Sequence, residues 1–204
     1  MNNRLKILLL IVIIIILSSS LCREIGAHPH IWIDTEVRFF FTPQKLTRIE
    51  FTYIFDEMYS TTVFSQVDTN NNDQIDPQEM DGIKKEVLSH IEGDSCFIHL
   101  KVNQKEVSVG GAELFKAFID QEERLVVVLN IPCQFDVSDI QQTVAVSAYD
   151  KEYYYEVMNP IKESISIEGS RQINHVLFFQ EDRESAYYFE QFYPLYTVVK
   201  FKKL

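Results

Sequence analysis

Two stretches of this chain carry side chains of the types that hold metal ions. The first is Asp68 to Glu79, DTNNNDQIDPQE. Its oxygen-bearing residues fall at positions 1, 3, 5, 7, 9 and 12 of a twelve-residue loop: Asp68, Asn70, Asn72, Gln74 (through its backbone carbonyl), Asp76 and Glu79. Calcium, a hard cation, takes six to eight oxygens from this spacing, so the stretch reads as an EF-hand loop. Ile75 supplies the hydrophobic residue of position 8, and Asp76-Pro77-x-Glu79 also spells a helix start, with Asp76 as N-cap and Glu79 three residues on. Position 6, where the loop turns in a left-handed conformation, holds Asp73 instead of the usual glycine, which strains the turn without forbidding it. The alternative is an Asn-rich surface loop that binds no metal.

The second stretch is Ala27-His28-Pro29-His30. In a strand, residues i and i+2 point the same way, so His28 and His30 present two imidazoles to one ion, an arrangement suited to Zn2+, Ni2+ or Cu2+. Pro29 has no N–H and cannot serve the copper and nickel chelate that uses a deprotonated backbone nitrogen. The strand register argued below adds Asp56, and two imidazoles with one carboxylate leave a position open for water, substrate or a transferred ion. Against this stands a pair of half-exposed histidines at a frayed strand start. His90 complements a helix dipole, and His99 and His175 are expected in strands or the core. No phosphate loop, nucleophile elbow or Cys-His framework is present.

The elements that position these groups follow from hydrophobic period. Ile31, Ile33, Val37, Phe39 and Phe41 alternate with Trp32, Asp34, Glu36 and Arg38, and Ile49, Phe51, Tyr53 and Phe55 alternate likewise, so two strands joined through Thr42 to Lys45 form a hairpin. Pairing Phe41 with Thr47 aligns the apolar faces and sets Arg38 opposite Glu50, whereas a slip by two opposes Arg38 to Arg48. Followed back, the favoured register puts Trp32 opposite Asp56 and Asp56 diagonal to His30. Phe55, Tyr59, Val63 and Val67, then Met80, Ile83, Val87 and Ile91, recur at helical spacing on either side of the loop. Strands are expected again at Ser95 to Val102, a hairpin about Asn103-Gln104, Arg124 to Ile131, Thr143 to Tyr149, Tyr153 to Met158, Ser164 to Ile167 and Leu195 to Phe201. The fold expected is α+β: an antiparallel, sandwich-like β core with an EF-hand helix-loop-helix (56–91) inserted after the second strand.

Residues 1–27 read as an export signal, with Arg4 and Lys6 ahead of the apolar run Ile7 to Leu17, which is too short to span a bilayer. Cleavage is open between sites after Ser20 and after Ala27, and Cys22 offers a lipid anchor, although Leu21 before it is bulky. Residues 28–204 suit one domain outside the cytoplasm. There Cys96 and Cys133 are two thiols whose pairing spacing alone does not decide. The net charge of −11, more negative once the basic leader is removed, argues against nucleic acid as a partner.

The runs AHPHIWID, FTYIFDEMYS and AYDKEYYYEV, with the loop between the last two, resemble a family of bacterial exported proteins of unknown function. Members are often encoded beside nickel/cobalt-type permeases or described as periplasmic components of ABC transport systems. The resemblance covers Ala27 to about Met158 and implies a periplasmic accessory in transition-metal handling, partnered by an inner-membrane permease or ABC transporter. His28, His30, Asp56, Glu57, Tyr59 and Asp150 are the matching motif positions, and Asp73 departs from the glycine of the family's loop. A binding protein is therefore expected, with a metal-assisted hydrolase on His28, His30 and Asp56 and a calcium-stabilised interaction module as alternatives.

Overall fold

The computed structural model describes residues 29–109, 111–169, 171 and 173–204. The leader and His28 lie outside the described residues. Strands dominate. The first hairpin pairs β1 (Ile31–Phe41) with β2 (Lys45–Phe55) antiparallel, Arg38 opposite Glu50 as expected and their side chains 3.9 Å apart. The register slips by one only at the turn, where Phe41 faces Leu46 rather than Thr47. There the Thr42 amide donates to the Lys45 carbonyl at 2.8 Å, and this tight closure takes up one residue as a bulge. Ile33, Val37 and Phe39 are fully buried while Trp32, Asp34 and Arg38 are exposed, so the period-two pattern marks the core face.

Between the hairpin and the later strands lies the helical segment. α1 (Glu57–Val67) begins where the Asp56 Oδ1 accepts the Tyr59 amide at 2.9 Å. After the loop come α2 (Met80–Ile83), a π-helical turn (Lys84–Leu88), α3 (Ser89–Ile91) and a 3-10 stretch (Glu92–Phe97). Val63, Val67, Ile83, Val87 and Ile91 are buried in the same cluster as the strand residues, so both helical stretches lay their apolar stripe on the sheets. Ser60 fastens α1: fully buried, its hydroxyl donates to the Phe55 carbonyl at 3.2 Å and accepts the Leu125 amide at 2.8 Å. Among the described residues, no helix is long and apolar enough to cross a membrane.

The remaining strands are β3 (Ile98–Val102), β4 (Lys105–Val107), β5 (Glu113–Ile119), β6 (Leu125–Asp136), β7 (Gln142–Ala148), β8 (Tyr155–Val157), β9 (Ile165–Glu168), β10 (Ile173–Glu181) and β11 (Leu195–Lys203). One sheet runs β5-β6-β2-β1-β8 with β9 further along β1, and the other runs β10-β11-β7-β3-β4. Their inner faces share one apolar cluster, with Phe41 and Phe201 in edge-on contact across it at 5.0 Å. The β3–β4 hairpin turns through Asn103 (φ 49) and Gln104 (φ 66), the doubly left-handed turn that matches strand twist.

Two expectations need correction, and the open question of the two thiols is answered. The core is not wholly antiparallel: β8 and β9 both run parallel to β1, because alternation identifies a strand but carries no direction, and the stretch between them lets the chain continue along the same edge. β5 and β10 were not expected as strands, since both are edges with largely exposed side chains; His175, expected in a strand or the core, lies on β10 with its side chain exposed. Cys96 and Cys133 are not disulfide-bonded. The Tyr53 hydroxyl donates to the Cys96 carbonyl at 2.6 Å, while the Cys133 sulfur sits 3.6 Å from the Leu46 carbonyl. Tyr53 and Leu46 stand seven residues apart on β2, so roughly 20 Å of strand separates the two thiols' neighbourhoods.

Candidate functional site

Two places that gather polar side chains bear on function. The first is loop 68–79. α1 ends as the Asp68 amide donates to the Phe64 carbonyl at 2.9 Å, and the backbone then turns through Asn71 (φ 57) and Asp73 (φ 59). Asp73 thus adopts the left-handed conformation that position 6 demands. The Asp68 carboxylate accepts the amides of Asn72 at 3.2 Å and Asp73 at 3.1 Å, and the Asn72 side-chain oxygen accepts the Gln74 amide at 3.0 Å. Asp76 Oδ2 accepts the side-chain amides of Asn70 at 2.9 Å and Asn72 at 3.1 Å.

Glu79 closes the loop from its far end. One carboxylate oxygen accepts the Thr69 amide at 2.8 Å and the Thr69 hydroxyl at 3.1 Å, and the other accepts the Asp76 amide at 3.0 Å. The Asp76 amide above all, then Thr69, holds the Glu79 carboxyl below its ordinary range. The helix start expected at Asp76 is not observed: α2 begins at Met80 with Glu79 as its N-cap residue, and although Glu79 reaches back to the Asp76 amide, the Asp76 side chain turns to Asn70 and Asn72 instead of capping. Ile75 is half-buried against the core. Asp68, Asn70, Asn72, Asp76 and Glu79 are joined in one hydrogen-bond network of oxygen-bearing side chains, although among the described residues Asp68, Asp76 and Glu79 are not gathered into a group of three carboxylates about one point.

The second place is a cleft of about 490 Å³ lined by Ile31, Tyr59, Glu86, His90, Phe97, Asp150, Glu152, Tyr154 and Tyr155. α1 supplies Tyr59, whose hydroxyl approaches the Glu86 carbonyl at 3.4 Å and bonds to the Tyr155 hydroxyl. The π-helical turn and α3 supply Glu86 and His90. Asp150 is buried and builds the turn into β8, its carboxylate accepting the amides of Glu152 at 3.0 Å, Tyr154 at 2.8 Å and Tyr155 at 3.0 Å. The Tyr154 ring packs against the His30 ring at 4.8 Å, and the His30 amide donates to the Tyr154 carbonyl at 2.9 Å. Burial, then the neighbouring phenols and carboxylates, pushes the hydroxyls of Tyr59 and Tyr155 up.

The model of a family described as protein of unknown function, DUF1007, matches residues 10–191. The chain belongs to that family. No curated protein matches it. The three runs quoted above as family-like meet at the cleft: Ile31 comes from the first, Tyr59 from the second, and Asp150, Glu152, Tyr154 and Tyr155 from the third.

The histidine set is not assembled about one point either. His30 is exposed beside Tyr154, and Asp56 does lie opposite Trp32, as the register argument required. Both carboxylate oxygens of Asp56 are engaged, Oδ1 with the Tyr59 amide and Oδ2 with the Trp32 amide at 2.9 Å, so Asp56 serves first as a cap that ties β1 to α1. Among the described residues, no three His, Cys, Asp or Glu side chains converge on one point. Sequence reasoning missed Glu86 as a cleft residue and took His90 for a dipole partner alone. Their spacing of four, on the helix face that also carries Val87 and Ile91 to its side, was the available signal.

Proposed function

We propose that this chain is an exported metal-binding protein whose loop 68–79, flanked by α1 and α2, is a solitary EF-hand that holds calcium. The observation that carries the reading is the Glu79 carboxylate, tucked back across the loop to Thr69 and Asp76 at the position where a bidentate ligand belongs. Asp68, Asp76 and Glu79 supply the negative charge, Asn70 and Asn72 neutral oxygens, and Gln74 its carbonyl. Three carboxylates and a strained turn at Asp73 suit a weak site, with a Kd on the order of 10⁻⁴ to 10⁻³ M, as in extracellular modules. Calcium at such a site joins the ends of two helices that already pack on the core.

The wider role is that of a periplasmic accessory in transition-metal transport, with an inner-membrane permease or ABC transporter as partner. It rests on the resemblance and on the His28 and His30 imidazoles, with Asp56 a ligand only if it releases a backbone amide. Calorimetric melting with calcium and with magnesium tests the first part: calcium raises the melting temperature of the wild type, magnesium does so less, and Glu79→Ala abolishes the calcium response. Equal responses of wild type and Glu79→Ala would reduce the loop to a connector. Metal analysis of the purified protein tests the second: stoichiometric Ni, Zn or Cu, lost in the His28→Ala/His30→Ala variant, supports it, and its absence from the wild type defeats it.

A further inference from the structure

We propose that the cleft between Tyr59, Glu86 and Tyr154 binds a small organic cation, a protonated amine or quaternary ammonium. This goes beyond the calcium and transition-metal readings and uses different residues.

Size comes first. About 490 Å³ falls within the roughly 300–1,000 Å³ of small-molecule pockets. It is far more room than a bare metal ion fills, and no three His, Cys, Asp or Glu side chains among the described residues converge to ligate one. The walls come second: Tyr59, Phe97, Tyr154 and Tyr155 line the cleft, with Phe97 and Tyr155 buried and packed on each other at 5.1 Å between centroids, and Tyr154, 5.3 Å from Tyr155, exposed at the margin. Aromatic faces attract cations through the ring quadrupole, and several rings around one ammonium are the recurrent form of that recognition.

Charge decides the sign of the ligand. Among the described residues the lining holds Glu86, Asp150 and Glu152 against His90, and no Lys or Arg. Three backbone amides take up the buried Asp150 carboxylate, as two do at Asp56, so the charge open to a ligand is that of Glu86 and Glu152. Glu86 pairs with Lys85 at 2.6 Å, but Lys85 is largely exposed, and such a surface pair contributes little, so Glu86 is free to turn to a ligand.

Isothermal titration of the purified, calcium-supplied protein at low ionic strength compares choline with 3,3-dimethylbutan-1-ol, a neutral molecule of the same shape. Choline is expected to bind saturably and the alcohol about tenfold more weakly, since shape and apolar area match and only the charge differs. Tyr154→Leu and Glu86→Gln, both at the accessible margin, should each weaken choline about five- to tenfold with an unchanged circular-dichroism spectrum and melting temperature. Glu79→Ala should leave choline binding intact, so that failure of the calcium loop and failure of this cleft are read separately. Equal binding of alcohol and choline, no choline binding, unchanged choline affinity in both cleft variants, or Ni2+ or Zn2+ binding lost in Glu86→Gln while choline fails, each overturns the proposal.

Discussion

Replacing Ser60 by alanine tests how α1, and with it Tyr59 and the start of loop 68–79, is held in place. Ser60 is fully buried, and its hydroxyl is a two-way bridge: it donates to Phe55 at the end of β2 and accepts the backbone amide of Leu125 at the start of β6. Ser60→Ala leaves that amide with no acceptor in a site too closed for water, at a cost of about 1–3 kcal/mol for an unsatisfied buried donor. Alanine's better helix propensity returns roughly 0.5 kcal/mol, so the net loss is about 0.5–2.5 kcal/mol. At roughly 2–4 °C per kcal/mol for a chain of this size, the melting temperature should fall by about 1–10 °C. Urea unfolding should show a lower midpoint with an unchanged slope, because the native surface is the same. Ser65→Ala is the matched control, since the exposed Ser65 hydroxyl bonds only the Thr62 carbonyl. If Ser60→Ala and Ser65→Ala unfold at the same midpoint, the bridge does not hold the helix and the argument fails.

Three further outcomes follow from named groups. The Glu79 carboxyl is held below its ordinary value of 4.5, so its contribution is fully present above that value and is lost as pH falls through the lowered one. The gap in melting temperature between wild type and Glu79→Gln, measured without calcium, should stay constant from about pH 6 to 8 and close on acidification; a gap that widens in acid contradicts the sign. Gly169 has φ +75, and a Cβ there would lie 2.0 Å from the Phe41 carbonyl oxygen, so Gly169→Ala should cost at least about 2 kcal/mol in urea unfolding. Burial pushes the Cys133 thiol up to about 12, so iodoacetamide at pH 8 should label it in concentrated guanidinium and leave it unmodified in the native protein, as read by peptide mass spectrometry.

What was legible in the sequence was whatever repeats at a fixed local period. Alternation in Ile31 to Phe41 marked the buried face of β1, and opposing charges chose the register that sets Arg38 against Glu50. The spacing of four from Tyr59 to Val67, and of three and four from Met80 to Ile91, marked both helical stretches, and the loop's polar residues fell where their side chains now meet. These succeed because side-chain direction is set by backbone geometry within a few residues.

Direction and distance in space were decided only by the tertiary structure. Nothing local distinguishes a parallel β8 from an antiparallel one, and the edge strands β5 and β10 bury too little to leave an alternating pattern. The placement of Asp56 opposite Trp32 was legible, but that its carboxylate would be consumed by two backbone amides was not, since capping and metal ligation ask for the same residue. The cleft is the clearest case. Tyr59, Glu86, His90 and Asp150 are far apart in the chain and come together only because α1 is pinned to β6, the π-helical turn packs beside it, and β8 lies along β1. A pocket formed by long-range packing leaves no period in the sequence to read.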